Sequence, residues 1–273
     1  MRISTDAGRR AGREEQRTMS ARRRRPATLA AILGLTALAG AAWAQDRPAA
    51  SPKGHYAALD ALPDWGGVWA LDFSAAGGPP PVPALKGKYL KDYEAWKALA
   101  AKSNGVTPDA GSHCLPPGMP IMMTSIPQYP IEFIFSPGRV TVLMEAWMQW
   151  RRIFTDGRGH GDDPEPSFEG ESVGHWDGQT LVVDTVAIKD AAPLGFGTGH
   201  SDKLHLVERI HLAEGNPDLL RVEMTVDDPE ALEHPYSTVS TFKRDRGGDL
   251  LEFVCAENDR NPVDGNGATK FIP

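Results

Sequence analysis

Three ionisable residues stand where the strand patterning calls for apolar ones. Along residues 204–212 the apolar set is Leu204, Leu206, Ile210 and Leu212, and Glu208 sits in its middle. Asp184 shares a strand face with Val182, Val186 and Ile188, and Arg152 follows Val140, Val142, Met144, Met148 and Trp150 on theirs. An unpaired buried charge is costly, so these groups are expected to pair inside or to open onto a solvated cavity. The alternatives are a purely structural ion pair, or a bulge that turns one of the groups outward. His200 adds an imidazole at the mouth of the glycine-rich loop 195–202. Together His200, Glu208, Asp184 and Arg152 would supply cofactor-free acid–base chemistry: a titratable ring, carboxylates raised by burial, and a cation for a developing oxyanion. Trp150, Arg158, His205, Met119 and Met122 are the candidate ligand-binding side chains.

Other chemistries fit less well. Loop 155–164 (Thr-Asp-Gly-Arg-Gly-His-Gly-Asp-Asp-Pro) lacks the aspartate spacing and closing Glu of a calcium loop. His205 and His211 would stand about 20 Å apart on an extended strand and cannot share an ion. His200, Ser201 and Asp202 are chain neighbours and do not align as a triad. The glycines at 195, 197 and 199 lack the strand-to-helix setting of a phosphate cradle. The expectation is therefore no metal and no cofactor.

These residues need a scaffold of short strands. Residues 64–73 read as a first strand. Residues 131–135 and 139–154 flank Ser136-Pro137-Gly138; 171–176 and 179–188 flank Asp177-Gly178, the strongest hairpin signal in the chain. Residues 203–212 and 219–226 flank Gly215-Asn216-Pro217, and 237–244 and 250–255 flank Gly247-Gly248-Asp249. About nine strands at hairpin spacing predict an all-β fold, an antiparallel barrel or strongly curled sheet. One helix is expected over 85–102, with Leu85, Tyr89, Tyr93, Trp96 and Ala100 as its apolar stripe packed on the sheet, and Ser103-Asn104-Gly105 ending it. The Pro-rich segment 106–130, with Met119, Ile121, Met122 and Met123, reads as a lid over a pocket or a cover over a sheet edge.

The first 44 residues read as an export signal: Arg22–Arg25, an apolar run to Trp43, and Ala42-Trp43-Ala44 as the cleavage site, with Met19 an alternative start. Residues 45–63 then form a polar linker, and 64–273 a single domain. Export makes a Cys114–Cys255 disulfide the expected use of the only two cysteines. Removing residues 1–44 takes away nine Arg and three acids, so the net charge moves from −7 to −13. A chain this acidic argues against nucleic acid and anionic membranes as partners. No stable membrane anchor is expected after cleavage, and the location is periplasmic or secreted.

Gly67-Val68-Trp69 resembles the glycine–x–tryptophan element that opens lipocalin and other calycin barrels. Residues 151–158 (RRIFTDGR), 174–185 (GHWDGQTLVVDT) and 200–209 (HSDKLHLVER) are similar to a broad group of uncharacterised exported bacterial proteins. Cys114 with 117–120 (PGMP), Asp228-Pro229 and Glu252 through Asn258 share that likeness. It implies a shared fold from Asp64 onward and no particular activity. Three functions follow as expectations: a protein binding a small, partly apolar ligand in a barrel pocket with an internal charged patch; a cofactor-free lyase, isomerase or hydrolase acting on such a ligand; or a structural envelope protein.

Overall fold

In a computed structural model, residues 57–76, 81–103 and 114–255 are described. The expected export signal and most of the expected linker lie outside them, as do Asn104, Gly105 and the first part of the Pro-rich segment. Nine strands close into a barrel in which each strand pairs with its chain neighbours and β9 returns to β1. They are β1 (Val68–Leu71), β2 (Ile131–Ser136), β3 (Arg139–Met144), β4 (Gln149–Phe154), β5 (Glu171–Asp177), β6 (Thr180–Val186), β7 (His205–Ala213), β8 (Asn216–Asp227) and β9 (Tyr236–Asp245). The expected all-β barrel with one long helix is the fold observed.

Two strand assignments differ, and they compensate in the count. Residues 139–154 form two strands, because a 3-10 turn at Ala146–Met148 intervenes with Trp147 and Met148 at positive φ. Residues 250–255 form no strand. That tail instead crosses the end of the barrel, where Leu251 N–H donates to Glu145 at 2.7 Å and Phe253 packs on Tyr129 and Trp147. The sheet is also not wholly antiparallel. β4 and β5 run parallel and register at only two positions, Ile153↔Ser172 and Phe154↔Val173. A parallel pair needs a crossover rather than a hairpin, so residues 155–170 return along the outside of the barrel.

The core follows the strand pleat. Leu220, Val222, Met224 and Val226 of β8 are buried, as the alternation requires, and so are Leu206 and Ile210 of β7. At one end Trp65 packs against Phe133, Phe135 and Trp176 with ring centroids 5.0–5.4 Å apart. Gly67 holds the entry to β1 at φ +94°, and a Cβ there would lie 2.8 Å from the carbonyl of Asp245. This close approach lets β1 join β9, with the Arg244 guanidinium 4.4 Å above the Trp69 ring. At the other end α3 (Ile121–Thr124) is buried throughout, and Met119 and Met122 belong to the core. The described part of the Pro-rich segment is thus a plug, and its methionines face packed side chains. The Cys114–Cys255 disulfide joins this plug to the tail, with Cα atoms 5.6 Å apart.

Two more helices are present among the described residues: the single turn α1 (Phe73–Ala76) after β1, and the long α2 (Gly87–Lys102), none of whose residues is fully buried. The expected stripe is its least exposed side: Trp96 and Tyr89 rest on the 195–199 loop, and Tyr89 and Tyr93 pack against the hydrophobic core. Gly197 accepts the Trp96 ring so closely that a Cβ would sit 2.2 Å from it. Ser103 caps the end of α2, its backbone N–H donating to Leu99 at 3.1 Å.

Candidate functional site

The charged patch inside the barrel is built by Arg151 and Glu208. Both side chains are fully buried and joined as an ion pair. Arg151 Nη1–H donates to Glu208 Oε1 at 3.1 Å, Nη2–H also to Thr185 at 2.8 Å, and Nε–H to Ser172 at 3.0 Å. Ser172 and Thr185 are themselves in contact at 2.9 Å. Charge, fork and hydroxyls satisfy one another, as a buried pair must.

The expectation for Glu208 is met, and those for Arg152 and Asp184 are corrected. The turn at Ala146–Met148 shifts the parity of β4, so Arg151 sits opposite Val142 and faces inward, while Arg152 pairs with Thr141 and faces out. Cross-strand partners share a face. In β6, Val183 lies opposite Glu208 and points in, so Asp184, opposite Val207, points out. Its strand is apolar on both parities, which hid the register. Ile188 is buried nevertheless, because Ala187 at φ 54° resets the alternation.

His200 lines the cleft between α2 and loop 188–202 but is almost wholly buried in its wall. Only 3% of the residue is exposed, and its Nδ1 and Nε2 lie 2.7 and 3.0 Å from the carbonyls of Ser201 and Lys189. The neighbouring Ser201 donates both its N–H and its hydroxyl to the buried Asp228. Burial would raise that carboxyl, but backbone and hydroxyl donors from Ser201, Ala231 and Glu230 outweigh it and hold it below its ordinary range. This set fastens loop 200–203 to the segment after β8.

Two sites remain on the outer face, on the strands flanking the crossover. In the first, Asp184 Oδ1 meets His205 Nε2 at 2.8 Å and His160 Nε2 at 3.1 Å. His160 comes from the glycine-rich crossover, and its Nδ1 points toward Glu171 at 3.9 Å. A groove of about 410 Å³ adjoins, lined by Arg158, His175 and Asp184 over a floor of Val173, Val182 and Val207. A carboxylate orienting imidazoles beside a groove can serve general acid–base chemistry. Asp184, His205 and Arg158 were expected functional residues; His160 was not, and only its loop position brings it in.

The second site is a cleft of about 510 Å³ beside the two-position β4–β5 seam. Past that seam β4 and the chain entering β5 share no ladder, and the cleft lies there. Trp150 and Arg152 of β4 line it with Phe168, Glu169, Glu171 and Lys189. Trp150 is 50% exposed, and the Arg152 guanidinium stacks 4.0 Å above its ring. Glu169 was not expected from the sequence. It is only 8% exposed, and neither carboxylate oxygen has a hydrogen-bond partner among the described residues. Burial pushes its carboxyl up to about 7; nearby Arg151 opposes that and Glu208 adds to it. No alternation signals this residue, because it precedes the strand and is buried by the crossover fold. A further cleft of about 610 Å³ lies between α2 and loop 188–202 and shares Glu165 and Lys189 with the seam cleft.

No family model matches the chain, and no curated protein does. What the fold and sites define is a closed nine-stranded mixed barrel with a paired charge inside and its open chemistry outside. No described helix is long and apolar enough to cross a membrane, and the disulfide is compatible with an extracellular or periplasmic setting.

Proposed function

We propose that the protein is an exported binder of a small, partly apolar ligand, and that the ligand occupies the cleft beside the β4–β5 seam. The observation that carries this reading is Glu169: a buried carboxyl with no hydrogen-bond partner among the described residues, at the wall of a cleft that also offers exposed aromatic surface. Native proteins rarely leave a buried polar group unsatisfied, and such a group at a cleft wall is expected to serve what enters. The export signal and the glycine–x–tryptophan element at Gly67–Trp69 support a secreted or periplasmic, lipocalin-like protein. On this reading the ligand lies against the barrel wall, because the interior is filled by core side chains and the Arg151–Glu208 pair. Native mass spectrometry of the protein purified from its own host tests it. A co-purifying small molecule, lost in Trp150→Ala, is the expected result; a ligand retained in that variant places binding elsewhere.

A second reading is favoured by a separate observation, the convergence of His160 and His205 on one oxygen of Asp184. Here the protein is a cofactor-free acid–base enzyme, with His205 taking or giving a proton and Asp184 fixing its tautomer. Turnover of small esters or hydroxy acids should fall at least about a hundredfold in His205→Gln. Turnover unchanged in that variant removes this reading.

A further inference from the structure

We infer that the ligand of the seam cleft is an anion, a small aromatic or aliphatic body carrying one carboxylate-like head, held by Arg152 and Lys189. The inference rests on the cleft reading above and adds the head group. Its basis is how two cations of the cleft are held. On the outer surface Arg158, Arg209, Arg246 and Lys243 each reach a carboxylate at 2.6–3.1 Å, while Arg139 and Arg221 reach none among the described residues. Arg152 and Lys189 reach none among the described residues, although Glu165, Glu169 and Glu171 line the same cleft. Both are instead laid over aromatic rings, Arg152 4.0 Å above Trp150 and Lys189 5.6 Å from Phe168.

A guanidinium stacked on a ring keeps its N–H edge free for a planar anion, and the ring beneath offers an apolar wall. The acids do not compete for that position. Glu171 accepts the backbone N–H of Gly161 at 3.1 Å and faces His160, and Glu165 is exposed at the cleft's far margin, where the second cleft begins. Glu169 is the third, and burial favours its neutral form. A neutral carboxyl donates a hydrogen bond, and an anion is the partner that rewards donation most. The charged groups facing Glu169 are Arg151 and Glu208 from inside the barrel, already paired with each other, and the cleft's own Arg152, Lys189, Glu165 and Glu171. Anion binding is therefore coupled to proton retention on Glu169 and weakens as the pH rises through the neutral range.

Isothermal titration of the full exported chain with three matched probes tests this: naphthoate, naphthylmethanol and naphthylmethylamine. Naphthoate should bind at least about tenfold tighter than the alcohol, and the amine weakest. Arg152→Gln and Lys189→Gln should each weaken naphthoate severalfold and leave the alcohol unchanged, so the alcohol also reports an intact cleft. With Glu169 titrating near 7, naphthoate should bind about tenfold tighter at about pH 6 than at about pH 8. Glu169→Gln should remove that dependence. If the alcohol or the amine equals naphthoate, the anion assignment is overturned while the cleft reading stands. Should none of the three bind, the cleft reading fails and the anion with it.

Discussion

Arg151 and Arg152 are consecutive in the chain and have opposite fates. Arg151 is buried in the barrel, and Glu208, Thr185 and Ser172 take up its donors. Arg152 faces outward over Trp150, with no carboxylate partner among the described residues. The pleat of one strand separates them, and that is enough to bury one in an ion pair and to leave the other stacked on an exposed ring. A buried charge must be fully paired for the fold to tolerate it, and full pairing leaves it nothing to offer a ligand. The outer cleft sits at the other limit, with two cations and a buried acid that no described residue pairs.

The largest effect should come from breaking the inner pair. Arg151→Met leaves Glu208 buried alone and should cost about 3–5 kcal/mol in urea unfolding, and adding Glu208→Leu should recover much of that loss. A single substitution as mild as a surface change would show that water reaches the pair.

Glu169 tests the border between the two regions. Its folded carboxyl titrates near 7, above the ordinary value of 4.5, so the folded chain holds more protons than the unfolded chain between those limits. Stability should be greatest below about pH 4.5 as far as this group is concerned, fall as the pH rises, and level off above about 7, a total of about 3 kcal/mol. Glu169→Gln should flatten that slope, as read from urea midpoints across the range. An unchanged slope would place the carboxyl in contact with water.

Asp184→Asn should change stability by less than about 1 kcal/mol, since its imidazole partners are partly exposed. Its effect belongs in the imidazole NMR spectrum at one pH: the His160 and His205 ring resonances should both shift, because each ring contacts Asp184, and those of His200 should not move. Smallest of all, Arg152→Gln should leave the unfolding midpoint within about 0.5 kcal/mol of the parent while altering only what the cleft binds. A marked loss of stability would make Arg152 a structural residue like its neighbour.

The legible parts of this fold are those with local causes. The β8 alternation predicts its buried face, Glu208 is readable as an inward acid, and Asp177-Gly178 marks the β5–β6 hairpin. The misread parts depend on partners distant in sequence. Nothing local reveals that Trp147 and Met148 take positive φ, yet that turn moves Arg152 outside and Arg151 inside. β6 is apolar on both parities, so only its register against β7 decides that Asp184 faces out. Residues 250–255 have strand composition, but β9 already pairs with β1 and β8, which leaves the tail no edge to join.

The sequence by itself determined the class: many short strands joined by turns, one helix, and two cysteines that become a disulfide. Hairpin signals and side-chain period act over a few residues, so they can be read without a partner. Tertiary structure alone decided where the chemistry lies. The parallel β4–β5 seam, the crossover that buries Glu169, and the meeting of His160 with Asp184 and His205 each join residues far apart in the chain. Strand parity has a period of two, so a single irregular turn moves a charge from the core to the surface.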